Sequence, residues 1–185
     1  MTRLKPVSPE SATGKTKDLY GVIKGRLGVV PNMMQTMGNS PAFLQGYLSL
    51  GDTLNGGKLG ARIGELIALT VAETNECNYC LSAHSYIGAN LVKMDSYTIE
   101  AARNAESADP KIESILKFAK ILVNKKGQAS DDEVAALKEA GVTEGEIGEI
   151  IGYVALNILT NYFNTVAKTE IDFPEVRERL LAASE

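Results

Sequence analysis

Helix-boundary signals recur from one end of this chain to the other, and period-two alternation is nearly absent. That contrast restricts the fold strongly, because helices and strands need different hydrophobic periods. Ser40-Pro41 supplies an N-cap and a first helical position. Asp95 and Pro110 open two further helices, the second with Ile112, Ile115, Leu116, Ala119, Leu122 and Val123 on one face. Ser130-x-x-Glu133 and Thr143-x-x-Glu146 both fit the capping box. Asn55-Gly56-Gly57 reads as a turn. The spacing predicts helices over 13–26, 32–39, 41–54, 58–74, 76–91 with Asn75 as N-cap, 95–105, from 110, from 130, and 144–168, with a short one after Pro174. The expected fold is all-α, with no sheet. It reads as one helical domain over 1–185, with a core motif region at 40–125 and C-terminal helices over 130–185. The loop around 105–110 is the one candidate hinge between helical layers.

Composition narrows the function classes. The chain has 185 residues, 44% of them hydrophobic, and a net charge of −4. That length suits one domain with a sizeable core. The absence of a basic patch argues against a nucleic-acid partner. The longest apolar stretch, Ile147–Ala167, is interrupted by Glu149, Asn157, Asn161 and Asn164. It reads as a buried helix and not as a membrane span. Residues 1–12 are polar and contain proline, without the apolar run of a signal peptide. A cytoplasmic location is therefore expected, and there a C-x-x-C pair is redox-active or metal-binding more often than a structural staple.

Both cysteines and the single histidine lie within residues 77–84, as Cys77-x-x-Cys80-x-x-x-His84. At about 100° per residue, Cys77, Cys80, Leu81, His84, Gly88 and Leu91 share one helical stripe, with Tyr79, Ser82 and Tyr86 opposite. The thiols thus share a face with apolar residues, toward the core or a subunit contact. Thiols at i, i+3 reach disulfide geometry at the start of a helix. A helix N-terminus stabilises the thiolate, which is the reactive form. Cys77 falls near the second helical position and Cys80 near the fifth, so helix position favours Cys77 as the more stabilised thiolate. His84, one turn after Cys80, can take or give a proton. A second thiol three residues away traps a sulfenic acid as a disulfide. Three other readings stay open: inert buried thiols, a satisfied core histidine, and a zinc site completed by a carboxylate, a water or another subunit.

Glu65 lies on the preceding helix, nearly opposite the stripe Leu59, Ile63, Leu66, Ile67, Thr70 and Val71. Its neighbours on that side are Ala68, Leu69 and Ala72, so the helix is apolar on two sides. A carboxylate there must be paired, hydrogen-bonded or protonated, and burial moves it toward the range useful for acid–base work. The alternative is a surface pair with Arg62 at i−3. Glu76 reads as a first-turn partner of the helix dipole and Glu73 as a solvated side chain. Gly14-Lys15-Thr16 resembles the end of a phosphate-binding loop, but Pro9 stands where the loop needs glycine, and no strand precedes it. Asn157, Asn161 and Asn164 recur at i, i+4, i+7. An exposed polar stripe, a hydrogen-bonded subunit interface and a lining of the thiol site all accommodate that spacing.

Glu65, eleven intervening residues and the Cys77/Cys80/His84 motif together resemble the carboxymuconolactone decarboxylase and alkylhydroperoxidase D-like family, in its C-x-x-C-containing, peroxidase-related branch. Leu27-Gly-Val-Val-Pro-Asn32, Ser40-Pro-Ala-Phe-Leu44, the stretch 156–164 and Asp172-Phe-Pro174 are also similar to its members. The resemblance implies an all-α antiparallel bundle and a homo-oligomer, trimer or hexamer, with sites near subunit contacts. It implies a dithiol-dependent peroxidase without haem, flavin or other bound cofactor, restored by an external dithiol such as a lipoyl- or thioredoxin-type protein. It makes Cys80 the peroxidatic nucleophile, Cys77 the resolving thiol, and Glu65 with His84 the proton relay. Helix position and resemblance thus disagree over the nucleophile, and the proximity of Cys80 to His84 favours Cys80. Mycobacterial members carry a second histidine between the cysteines, where this chain has Tyr79. A tyrosine of ordinary pKa, near ~10, does not replace that base. The competing functions are a general disulfide oxidoreductase or redox sensor, a zinc-binding or structural helical oligomer, and a lactone-acid decarboxylase, which would need neither thiol.

Overall fold

The computed structural model describes residues 2–178. Among them are nine α-helices and no strand: α1 (Gly14–Leu27), α2 (Asn32–Met37), α3 (Pro41–Asn55), α4 (Gly60–Thr74), α5 (Asn78–Asn90), α6 (Ser96–Arg103), α7 (Pro110–Asn124), α8 (Asp131–Glu139) and α9 (Glu144–Ala167). The local start signals behave as expected. Ser40 accepts from the Phe43 N–H and Asp95 from the Thr98 N–H. Ser130–Glu133 and Thr143–Glu146 each form both halves of a capping box. The short helix expected after Pro174 is absent over 175–178, and its remainder lies outside the described residues.

Helix α4 is the axis of the bundle. It packs against α3, α5, α6, α7 and α9, and every residue from Leu66 to Ala72 is buried. A helix that is apolar all round belongs inside other helices. Its two sides serve two cores. Leu66, Ile67, Leu69 and Val71 face a cluster with α6, α7, α8 and α9. Ala72 joins a second cluster, in which α1, α2 and α3 close over Cys77, Tyr79, Cys80 and Leu81. Helix α9 lies beside α3, α4, α5 and α7. Among the described residues, no helix is long and apolar enough to cross a membrane.

The link between α4 and α5 departs from the sequence expectation. Asn75 does not cap α5; it is the C-cap of α4. Glu76 follows at φ 55°, in the left-handed region. Its N–H reaches the Glu73 carbonyl at 3.1 Å, and the Cys77 N–H reaches Ala72 at 3.0 Å. This pair of bonds is a Schellman motif. Glu76 is therefore a terminator of α4 and not a first-turn acid of α5. The N-cap of α5 is Cys77, whose sulfur accepts the Cys80 N–H at 3.3 Å. Cys80 thus occupies the third helical position, not the fifth.

Close approach of α4 and α9 depends on Gly64. A Cβ there would stand 2.5 Å from Cε1 of Tyr153. The ring has little freedom to retreat, because its hydroxyl is held by Asn55 Oδ1 at 3.1 Å and by the Gly60 carbonyl at 3.2 Å. Overpacking costs of about 1–3 kcal/mol compete with a helix-propensity gain of about 1 kcal/mol. Gly64→Ala is expected to destabilise the fold by up to about 2 kcal/mol on that balance. Urea unfolding checks it, and a raised midpoint would contradict the packing argument.

Candidate active site

Helix α5 carries three chemical groups on successive turns. Cys77 and Cys80 are joined as a disulfide, with Cα atoms 5.3 Å apart. Both are nearly inaccessible, but their surroundings differ. Cys80 lines a cavity of about 320 Å³, whose wall does not include Cys77. His84 stands on the same wall, one turn further along α5. The cavity is predominantly apolar, with Met33, Met34, Tyr47, Tyr86 and Phe173 contributing large side chains.

Glu65 reaches this site from α4. Its Oε2 is 2.7 Å from His84 Nδ1, and both side chains are about one-fifth exposed (19% and 18%). The surface pair with Arg62 is thereby replaced by a partly buried carboxylate–imidazole pair. Burial by itself would lower the His84 pKa. The Glu65 charge and hydrogen bond outweigh it, and the net shift is upward from 6.5. Engagement at Nδ1 fixes the ring orientation and leaves Nε2 as the second proton-carrying position. Tyr47, from α3, also lines the cavity, and its phenol is pushed up to about 12 by burial and then by the charges of Glu65 and Asp52.

Asn164 comes from the last turn of α9. Its Nδ2 lies 3.4 Å from Cys80 Sγ and 3.2 Å from Met33 Sδ. The recurring asparagines are thus buried and not an exposed polar stripe. Asn157 donates to the Tyr153 carbonyl and Asn161 accepts from Asn75. Of the three, Asn164 lines the thiol site.

The segment after α9 returns across α5. Tyr79 donates to Asp172 Oδ1 at 2.9 Å and accepts the Met33 N–H at 3.1 Å. Asp172 Oδ2 also accepts the Asn32 N–H at 2.7 Å. The Phe173 ring meets Tyr79 and Tyr86 at centroid distances of 5.9 and 5.6 Å, and Ser82 and Val176 exchange hydrogen bonds. Tyr79 is therefore a buried tie between α2, α5 and the C-terminal segment. Burial drives its phenol well above the usual tyrosine range, which excludes it as a base near neutrality. Sequence reading missed the partnership with Asp172 because the two residues are 93 positions apart. Glu73 is also corrected: it is not solvated but pairs with Arg103 at 2.6 Å. Among the described residues, no three His, Cys, Asp or Glu side chains are grouped as metal ligands.

An all-helical bundle bearing a C-x-x-C disulfide and a Glu–His pair beside an apolar cavity is the class this geometry defines. Residues 41–120 match the model of the Carboxymuconolactone decarboxylase family. The family resemblance read from the motif therefore stands, and the matched segment contains Glu65, Cys77, Cys80 and His84. A comparison with curated proteins gave no match. Solved structures share the fold. A peroxidase-related protein from Ralstonia eutropha JMP134, described as an alkylhydroperoxidase AhpD core, is 21% identical with a TM-score of 0.81, covering 91% of this chain and 92% of that one. A peroxidase-related protein from Silicibacter sp. TM1040 is 20% identical at a TM-score of 0.76, covering 90% and 86%. The debrominase Bmp8, as a cysteine-to-alanine variant in complex with 2,3,4-tribromopyrrole, is 19% identical at 0.79, covering 93% and 92%.

The raised pKa of His84 has a sign that can be checked. A folded value above the unfolded one contributes stability that is fully present below about pH 6.5 and lost as pH rises through the folded value. NMR titration of the single imidazole is expected to give a midpoint above 6.5 in the native protein. Glu65→Gln is expected to move it below the native midpoint, because burial is then less opposed. An unchanged midpoint would show that the pair does not control the histidine.

Proposed function

We propose that the protein is a thiol-dependent peroxidase acting on small organic hydroperoxides. One observation carries this reading: Cys80 lies at the wall of an apolar cavity, with its disulfide partner behind it and His84, paired with Glu65 of α4, one turn along the same helix. In the reduced protein, the Cys80 thiolate attacks the distal oxygen of the peroxide and the O–O bond breaks. Sulfur is oxidised to the sulfenic acid, and the alkoxide leaves as alcohol after taking a proton from the His84 imidazolium. Cys77 then attacks the Cys80 sulfur. The S–O bond breaks, hydroxide takes a proton and leaves as water, and the disulfide forms. An external dithiol reduces the pair by exchange and is itself oxidised to a disulfide. In this reading Cys80 is the nucleophile, Cys77 the resolving thiol, and Glu65 with His84 the proton relay; the placement of Cys80 at the cavity wall and the Glu65–His84 contact support it. No bound cofactor is needed in this sequence of steps.

A second electrophile fits the same thiolate. The cavity is far larger than hydrogen peroxide requires, and ring-bearing side chains line it. A brominated aromatic ring can give its bromine to Cys80, the ring carbon taking a proton, before Cys77 displaces bromide to form the disulfide. This reading is favoured by the cavity and matches the ligand of Bmp8 in kind.

Reduced protein is expected to consume tert-butyl hydroperoxide in the presence of a lipoyl- or thioredoxin-type dithiol, and Cys80→Ser to abolish consumption. No consumption with titratable thiols would overturn the peroxidase reading. Bromide release from 2,3,4-tribromopyrrole under the same conditions would select the second one.

We extend the proposal to a homo-oligomer, a trimer or hexamer. Ile151, Tyr162 and Val166 lie along one face of α9 and are 50%, 62% and 60% exposed. Sedimentation equilibrium is expected to give a multiple of the chain mass, and Tyr162→Glu to reduce it. A monomeric native protein would contradict the extension.

A further inference from the structure

We propose that the Asn164 carboxamide is the hydrogen-bond donor that holds the reduced Cys80 sulfur as a thiolate. The inference deepens the peroxidase reading, resting on it for the identity of Cys80 as the reacting sulfur. Its geometric basis stands apart from turnover.

The orientation of the amide follows from the chemistry around it. Asn164 is 4% exposed, and its terminal group faces two sulfur atoms, Cys80 Sγ at 3.4 Å and Met33 Sδ at 3.2 Å. A thioether and a disulfide sulfur only accept hydrogen bonds. A carbonyl oxygen in that place would set lone pair against lone pair on both sides. The NH₂ group therefore faces the sulfurs, and the carbonyl takes the other direction, where Oδ1 finds no partner among the described residues. A buried carbonyl without a donor is costly. The fold accepts this arrangement while keeping both N–H groups on sulfur.

The backbone holds the amide in place. Asn164 lies one turn from the end of α9, and its carbonyl accepts from Lys168 N–H and, at 3.1 Å, from Thr169 N–H. Those bonds also begin the return of the chain toward Asp172. The donor is thus fixed by the same turn that directs the C-terminal segment over α5.

Reduction changes the value of this contact. A disulfide sulfur is a weak acceptor, whereas a thiolate is charged, and a hydrogen bond to a charged acceptor is stronger. An N–H aimed at the sulfur therefore favours the thiolate over the thiol. The two cysteines then have separate donors: Cys77 receives the Cys80 backbone N–H at the helix N-cap, and Cys80 receives Asn164. This resolves the disagreement between helix position and proximity to His84. The first turn of α5 serves Cys77, and α9 serves the thiol that faces the cavity.

The test is the pH dependence of iodoacetamide alkylation of reduced Cys80, read by intact mass in a Cys77→Ser background. Asn164→Leu is expected to raise the midpoint by about 1–2 pH units, the size of a lost charge-assisted hydrogen bond. Asn164→Asp keeps the shape and adds a like charge, and is expected to raise it at least as far. It decides the question if the leucine variant does not fold. A midpoint unchanged in a folded variant of either kind overturns the proposal, and a structural role alone would lower thermal stability without moving it. Peroxide takes no part in the measurement. A protein that ignored hydroperoxides yet showed the shift would lose the peroxidase reading and keep this one.

Discussion

The tight link between α4 and α5 is the constraint on which the site depends. Asn75, Glu76 and Cys77 join two packed helices with no residue to spare. The Schellman bonds end α4, and the next residue already caps α5. Glu65 lies ten residues before Asn75 and His84 nine after it. Two helices folded back on each other at that link bring these near-equidistant positions side by side, which is where the 2.7 Å contact forms. The same link sets Cys77 at the N-cap and Cys80 one turn inside. A longer or looser connection would lose the register of all four residues together.

Packing then gives the two cysteines different surroundings. The wall of the cavity is built from α2, α3, α5, α9 and the C-terminal segment, and it admits Cys80 but not Cys77. The closing contacts are polar and buried. Tyr79 binds both the Met33 N–H and Asp172, and removing such a hydroxyl leaves partners unmet at a cost of about 1–3 kcal/mol. The residue between the cysteines therefore serves closure of the cavity. Its raised phenol pKa keeps it uncharged near neutral pH, and the proposed mechanism therefore gives the proton chemistry to His84 and Glu65.

Much of the fold was legible because helix caps are local. Ser40, Asp95, Ser130 and Thr143 each bond to a backbone group three residues on, and no distant contact is required to recognise them. Asn75 is ambiguous in the sequence because asparagine suits both ends of a helix, and the left-handed Glu76 that decides between them carries no glycine signal. The Cys-Cys-His motif was plain in the chain, and the double apolar character of α4 pointed to Glu65 without naming its partner. What stayed hidden was long-range: the Tyr79–Asp172 tie, the Arg103 that takes Glu73, and the choice of Asn164 from three equivalent asparagines. Each depends on how separate helices are set against one another, and periodicity along one helix holds no record of that.

The central claim is that the thiol facing the cavity reacts and the capping thiol resolves. Intact mass spectrometry after one equivalent of hydroperoxide tests it most directly, on the reduced Cys77→Ser and Cys80→Ser proteins in parallel. The account predicts a persistent gain of one oxygen, as sulfenic acid, in Cys77→Ser, and an unmodified mass in Cys80→Ser. The reverse pattern, with oxygen retained on Cys77, would contradict it and make the N-cap thiol the nucleophile.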